Sequence, residues 1–307
     1  MPMLFTDAEV AARLDAPTSV AAMRAAIVAA HEGRLVAPPR ASAPLTGGRL
    51  VMTAGQLADE WYGFRSYDTF GHRQGEQLVV LHDAASGGIR AIAVGEEIGS
   101  RRTGAIGGVA VDALARPDAA TIGVIGAGHQ AWTQLWAAAA VRPLREVTVY
   151  TRTPGSREAF AARVRAELGL PARAVESAAA ATRDRDIVVL ATTSRTAVID
   201  ARDLAPGTHV NTVGFKQRGR SEFGLDLPER AAVIATDSPA QAAAYEPPMI
   251  IVGTPAAERM RHLGAILSGA LPGRASADEI TLFCSVGLAG TEVFLLDRLA
   301  QSVAVPV

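Results

Sequence analysis

One cysteine, Cys284, stands among the 307 residues of this chain. A lone cysteine excludes an internal disulfide and a cysteine-based zinc site, and nothing else in the sequence calls for a metal. Lysine is nearly absent, whereas alanine, arginine and glycine abound. We read that bias as a trait of the coding sequence rather than of the chemistry. Charge excess is also missing. The formal net charge of −1 gives no general attraction to nucleic acid or to an anionic membrane surface. No apolar run approaches the roughly 20 residues that a membrane-spanning helix needs. Residues 1–10 lack the basic-then-apolar order of a signal peptide and carry Asp7 and Glu9 instead. These absences lead us to expect a cytoplasmic protein with neither nucleic-acid nor membrane partners. Otherwise the composition, 49% hydrophobic and 20% charged, is that of a globular chain long enough for one large domain or two ordinary ones.

Along the chain, residues 4–32 read as two helices. Thr6-Asp7-Ala8-Glu9 has the form of a capping box. The prolines of Ala37-Pro38-Pro39-Arg40 force the chain out of helix. Strand-like runs follow at 49–54, 61–67, 77–82 and 89–94, with Gly71, Gly75, Gly87 and Gly88 in the turns, as hairpins require. The first third thus reads as helices with a mostly antiparallel sheet. Residues 98–114 form a long helix whose small residues (Gly104, Ala105, Gly107, Gly108, Ala110) permit close packing, and Pro117 marks a boundary. Beyond it, apolar strands at 121–125, 146–150, 187–191, 209–213 and 233–236 are separated by helical stretches, among them 130–141 and 157–168. Such alternation describes a parallel sheet covered on both faces. The fold class is therefore α/β: a Rossmann-type doubly wound domain, 117–274, beside an α+β substrate and dimerisation domain, 1–116, which the tail 275–307 rejoins.

The sequence Ile122-Gly123-Val124-Ile125-Gly126-Ala127-Gly128-His129-Gln130-Ala131 is G-x-G-x-x-A between a strand and a helix. Gly126 permits the tight turn, Gly128 lets the backbone approach a pyrophosphate, and Ala131 keeps the helix near the strand. The helix N-terminus offers N–H groups and partial positive charge to the phosphates. An acidic residue at the end of the second strand would bind the ribose 2′-hydroxyl of NAD. The sequence lacks one there and reads Tyr150-Thr151-Arg152-Thr153, with Ser156 and Arg157 beyond. Arg152 with Thr151 and Thr153 suits a 2′-phosphate, so we expect NADP(H) to be preferred over NAD(H). Thr192-Thr193-Ser194 follows the strand 187–191 on the same carboxyl edge and either borders the ribose and nicotinamide or serves as plain turn chemistry.

Several stretches together resemble the ornithine cyclodeaminase/mu-crystallin family. They are Pro38-Pro39-Arg40, Ser100-Arg101-Arg102-Thr103-Gly104-Ala105, the glycine turn through Ala131, Val210-Asn211-Thr212-Val213-Gly214, and Ile280-Thr281-Leu282-Phe283-Cys284-Ser285-Val286-Gly287. The resemblance covers nearly the whole chain. It implies a Rossmann domain plus a substrate domain whose sheet builds a homodimer, and hydride transfer between a nicotinamide and the α-carbon of an amino or imino acid. By resemblance, Arg40 and Arg102 clamp the substrate carboxylate, Val213 and Gly214 border the cofactor, and Ser285, Gly287 and Gly290 let the last loop pass close to the nicotinamide. The resemblance gives Glu222 a place ordering its loop. Cys284, within an apolar run, reads as buried and inert.

Two positions depart from the family pattern. Where the family carries a lysine near the substrate, this chain has Arg65, which holds an anion but is a poor proton donor or acceptor. Where cyclodeaminases carry an aspartate shortly after the Val-Gly of the loop, it has Lys216. A cation there disfavours an ornithine ammonium, so ornithine cyclodeamination by the usual route is not expected. Lys216 is instead a candidate acid or base, unless it is an exposed loop lysine. Asp68, His72 and His82 rank behind it. The leading expectation is a ketimine reductase or amino-acid dehydrogenase acting on a small amino or imino acid. The alternatives are a cyclodeaminase that recycles a bound nicotinamide and a nucleotide-binding protein without catalysis, comparable to mu-crystallin.

Overall fold

The computed structural model describes residues 1–71 and 76–304. His72 and Gly75 lie outside the described residues. Contacts divide the chain into two compact units, Met1–Thr103 with Gly287–Val307, and Gly104–Val286.

The first unit opens with β1 (Met3–Phe5), α1 (Asp7–Arg13) and α2 (Ala16–His31). Residues 3–5 are thus strand, not the start of a helix, and β1 pairs in parallel with the last strand of the sheet. The capping box forms as expected between Thr6 and Glu9. β2 (Leu35–Val36), β3 (Ala41–Leu45), β4 (Gly48–Leu57), β5 (Trp61–Asp68), β6 (Leu78–Asp83) and β7 (Ile89–Val94) complete a sheet ordered β1-β7-β6-β5-β4-β2, with β3 also on β4. The pairing from β2 to β7 is antiparallel. Side chains alternate between faces, so Thr53, Arg65 and Val79, which stand in register across β4, β5 and β6, share the covered face. α3 (Glu97–Leu114) then runs across the boundary between the units at Gly104.

The second unit contains β8 (Thr121–Ile125), α4 (His129–Val141), β9 (Glu146–Tyr150), α5 (Pro154–Leu168), β10 (Ala172–Ala174), α6 (Ala178–Thr182), β11 (Ile187–Leu190) and β12 (His209–Thr212). After a small hairpin of β13 (Lys216–Gln217) and β14 (Arg220–Ser221) come α7 (Asp226–Arg230), β15 (Ala231–Thr236), α8 (Pro239–Ala243), α9 (Pro255–Glu258), β16 (Met260–His262), α10 (Leu263–Leu267) and β17 (Ile280–Cys284). Its eight-stranded parallel sheet has the order β10-β9-β8-β11-β12-β17-β15-β16. The order reverses direction at β8 and β11, which sets a ligand-binding crevice at their carboxyl ends. One apolar cluster, including Trp132, Leu135 and Phe160 from α4 and α5, covers one face. A second, including Phe223, Leu227 and Met249, covers the other. The small residues of α3 serve the close packing expected of them: a Cβ at Gly104 or Gly107 would collide with Thr133 or Gln134 on α4.

The division falls at 104 and 287 rather than at 117 and 275. β17 is the reason. It pairs with β12 on one side and β15 on the other, so the tail rejoins the first unit only after that strand. α11 (Thr291–Ala304) then packs on α2 and on the covered face of β5, β6 and β7.

Candidate active site

In the second unit a cleft of about 590 Å³ opens at the carboxyl ends of β8, β9 and β11. It is lined by Gly126, Ala127 and Gly128, by Tyr150–Arg152 with Ser156, and by Thr192, Thr193 and Ser194. Gly126 has φ +114, and a Cβ there would strike the Ala191 carbonyl, so only glycine serves both the turn and the approach. Gly128 is the N-cap of α4, whose first N–H groups have no partner within the helix. Arg152 and Thr153 are exposed, and no carboxylate lines the cleft. These features fit a dinucleotide. Arg157 is buried: it donates through Nη1 to the Thr151 carbonyl at 3.2 Å and through Nη2 to Glu176 at 2.5 Å. His129, Gln130, Thr153, Val213 and Gly214 are not among the lining residues. Of these, Gln130 keeps a buried Oε1 with no hydrogen-bond partner among the described residues.

In the first unit, α11 brings Glu292 onto the covered face of the sheet, where it is 1% exposed. Its Oε1 accepts from Arg65 Nη1 at 2.9 Å and from Arg102 Nη2 at 2.8 Å. Burial pushes the Glu292 carboxyl up, but Arg102 and Arg65 outweigh it and hold the group below the usual range. Arg65 further donates to Gln77 Oε1 from Nε at 2.9 Å and Nη2 at 2.6 Å, and its guanidinium lies 4.1 Å from the centre of the Tyr67 ring. The Tyr67 hydroxyl accepts from Arg40 Nη1 at 3.5 Å. Arg40 and Arg102 meet at Gly287: a Cβ on that residue, which has φ +86, would lie 3.1 Å from Arg40 Nη2 and 3.4 Å from Arg102 Nη1. The buried Nε of Arg102 has no hydrogen-bond partner among the described residues.

A third group of polar side chains lies in the second unit after β12. Lys216 is 2% exposed, and its Nζ donates to the carbonyls of Gly214 at 2.6 Å and Val213 at 3.4 Å. Glu222 is fully buried and accepts from Gly214 N–H at 2.6 Å and from Thr192 N–H and Oγ1, each at 3.0 Å. Burial raises the Glu222 carboxyl against the opposing pull of Lys216, Thr192 and Gly214.

A model of the ornithine cyclodeaminase/mu-crystallin family matches residues 1–302. The chain belongs to that family. A relative is the Delta(1)-pyrroline-2-carboxylate reductase of Bacillus cereus, 34% identical over 229 residues, which are 73% of this chain and 70% of the relative. Among solved structures, Thermococcus litoralis Delta(1)-pyrroline-2-carboxylate reductase, in complex with NADH and L-proline, matches with a TM-score of 0.89 at 28% identity, covering 98% of this chain and 97% of that one. An archaeal alanine dehydrogenase dimer with bound NAD gives 0.88 at 25% identity, covering 100% and 98%.

Within this member of the ornithine cyclodeaminase/mu-crystallin family, the residues singled out in the sequence separate into groups. Arg40 and Arg102 come together, as a carboxylate clamp requires. Arg65 joins their cluster with three donor contacts already committed to Glu292 and Gln77. Lys216 is neither an exposed loop residue nor aimed at open space, since its ammonium is turned onto its own backbone. The charge repulsion expected against ornithine therefore loses force, although position 216 still offers no carboxylate. Glu222 orders the loop, and burial lifts the Cys284 thiol to about 11, in keeping with an inert residue. Gly287 serves the arginine pair and Gly290 lies against Gly55, while Ser285 N–H continues the β17 pairing to the Thr212 carbonyl at 3.1 Å. Asp68 accepts from Phe70 N–H at 2.9 Å. His82 stacks on Tyr62 with ring centres 4.8 Å apart. Both belong to local structure. Glu292 is the residue that sequence reasoning missed. Among the described residues, no group of three or more His, Cys, Asp or Glu side chains is placed to hold a metal ion, and no helix is long and apolar enough to cross a membrane.

Proposed function

We propose that this protein is an NADP(H)-preferring oxidoreductase that moves a hydride to or from the α-carbon of a small imino or amino acid, as a ketimine reductase or amino-acid dehydrogenase does. The observation that carries this reading is the convergence of Arg40 and Arg102 at Gly287. Guanidinium forks bind carboxylates with paired, charge-assisted hydrogen bonds, and the unpartnered Nε of Arg102 is a donor ready for an anion. Arg65 supports Arg102 through their shared contact with Glu292 Oε1. The dinucleotide is held by the Gly126–Gly128 turn and the N-terminus of α4, with Thr151, Arg152 and Ser156 of the cleft lining beside a ribose phosphate. Arg157 braces the turn after β9 through the Thr151 carbonyl. When bound, the reduced nicotinamide supplies a hydride to the carbon of a C=N bond, and the nitrogen carries a proton taken up from solvent. The chain's part is orientation and fixed positive charge; its arginines stay protonated and take no part in proton transfer.

Two relatives support a nicotinamide-dependent enzyme of small amino or imino acids, each with NAD(H) bound; the preference for NADP(H) rests on Arg152 alone. One solved reductase holds NADH and L-proline, and a solved alanine dehydrogenase is a dimer with bound NAD. We infer a homodimer here too. Cyclic imines and α-imino acids offered with NADPH or NADH, followed at 340 nm, test the activity. Net oxidation of NADPH with at least one imine is the expected result. Release of ammonia with no net cofactor turnover would identify a recycling cyclodeaminase instead, and binding without turnover of any substrate would identify a non-catalytic nucleotide binder.

A further inference from the structure

Lys216 is the only lysine in the chain; every other member of the thirty lysines and arginines is an arginine. That single lysine stands at a site that is 2% exposed. An ammonium is a compact point donor, whereas a guanidinium is a planar fork, and the space here suits the former. Nζ sits 2.6 Å from the Gly214 carbonyl and 3.4 Å from that of Val213. The N–H of the same Gly214 is held from the opposite side by Glu222 at 2.6 Å. Gly214 is thus pinned at its amide by an anion and at its carbonyl by a cation. Glu222 carries the same restraint to Thr192, bonding both its N–H and its hydroxyl. There is no slack at this point, since a Cβ on Gly214 would strike Glu222 and the Thr192 carbonyl.

The location gives the restraint a purpose. β9 lies on one side of β8, and β11 and β12 on the other. A dinucleotide whose pyrophosphate rests on the turn after β8 and whose adenosine lies toward β9 must extend its second nucleoside over the ends of β11 and β12. Those ends are Thr192, which lines the cleft, and Val213-Gly214.

We infer that Lys216 is a positioning residue for the nicotinamide half of the cofactor: with Glu222 it locks the loops after β11 and β12 together, and it serves as a brace rather than as a proton donor. The inference rests on the dinucleotide reading proposed above. Lys216 acts through Gly214 and Thr192, so its loss affects ligands that reach those loops and spares ligands that do not.

Two probes separate the halves. NADPH spans the whole cleft, while adenosine 2′,5′-bisphosphate occupies only the end near Arg152. In Lys216→Met we expect the dissociation constant of NADPH to rise about tenfold or more, the scale of one lost charge-assisted hydrogen bond. That of adenosine 2′,5′-bisphosphate should stay within about twofold. Equal weakening of both would mean a general folding role and overturn the inference, as would no change in either. Wild-type protein that binds neither ligand, nor NADH, would overturn the dinucleotide reading itself and this inference with it. If the variant does not fold, the wild-type holds the answer. Protein grown with [ε-13C]lysine gives one lysine signal, which NADPH should shift and adenosine 2′,5′-bisphosphate should not. A signal that neither ligand moves, or that both move alike, would count against Lys216 as a brace.

Discussion

Arg152 stands exposed at the end of β9, where a carboxylate would otherwise select NAD. Arg152→Asp places a negative charge where the 2′-phosphate is expected, and we predict that it weakens NADPH by about tenfold or more while NADH is held as well or better. Fluorescence titration of both cofactors checks this, and an unchanged ratio of affinities would refute it. Glu292 makes a different prediction. It is the shared acceptor for two buried guanidiniums, and Glu292→Gln leaves them without a counter-charge. Breaking a buried pair in this way costs about 3–5 kcal/mol, to be read from urea unfolding at neutral pH. A loss below about 1 kcal/mol, the scale of an exposed pair, would show that the cluster is not held by charge. Within its own helix Glu292 is an ordinary first-turn acid, a partner of the helix dipole, and nothing local marks it as more. A signal was nevertheless present. β5 alternates Trp61, Gly63 and Arg65 onto one face, and a guanidinium on an apolar face requires an anion from some other element.

At the scale of elements, the glycine turn and its flanking strands were legible because the pattern is local: β8, α4 and β9 fall where the sequence places them. Strand order was not. Ile280–Cys284 is apolar in the same way as the other buried strands, and nothing within it states that its neighbours are β12 and β15. What fixes it there includes a buried polar chain. Neutral His209 donates from Nε2 to Asn211 Oδ1 at 2.8 Å and accepts from Thr281 Oγ1 at Nδ1, 2.9 Å away, joining β12 to β17. Asn211 Nδ2 continues to the Gly107 carbonyl of α3 at 3.0 Å. Burial brings the imidazole down to about 3, against the pull of Asn211 and with help from Arg274 and Arg142. The unfolded chain takes up this proton near the ordinary value of 6.5, so between about 6.5 and 3 the unfolded state binds more protons than the folded one. The contribution is therefore complete above 6.5 and is lost as pH falls through that window, at up to about 1.4 kcal/mol per pH unit. We predict that stability declines already between pH 7 and pH 5, above the main carboxylate range, and that His209→Gln flattens the decline. Urea unfolding at several pH values measures it; equal slopes in the two proteins would be the contrary result.

At the scale of the whole molecule, the first unit's sheet carries a second face that its own helices leave uncovered. Leu50, Met52, Tyr62 and Leu78 are all more than a third exposed, and the strand register places Met52 opposite Ser66 and Ser66 opposite Leu78. Apolar faces of this kind are normally buried against a partner. A dimer of twice the 31.9 kDa chain mass is expected by light scattering at micromolar concentration. Met52→Glu combined with Leu78→Glu should shift it toward monomer, and a wild-type monomer would contradict the reading. The two-domain plan was visible in the change of texture near Pro117. The true boundary inside α3 was not, because a continuous helix carries no local mark of where its packing partners change.

The return of the last helix to the first unit also orders events during synthesis. Residues 287–304 follow the whole of the second unit in the chain, whose parallel sheet has its last strand at Cys284. The first unit is completed later still. Its sheet emerges early, yet Arg65 and Arg102 wait for Glu292, and the face bearing Trp61 and Leu81 waits for Phe294 and its neighbours. Until α11 is added, the first unit therefore has an open apolar sheet face and two arginines without their counter-charge, and the arginine cluster closes only with that helix.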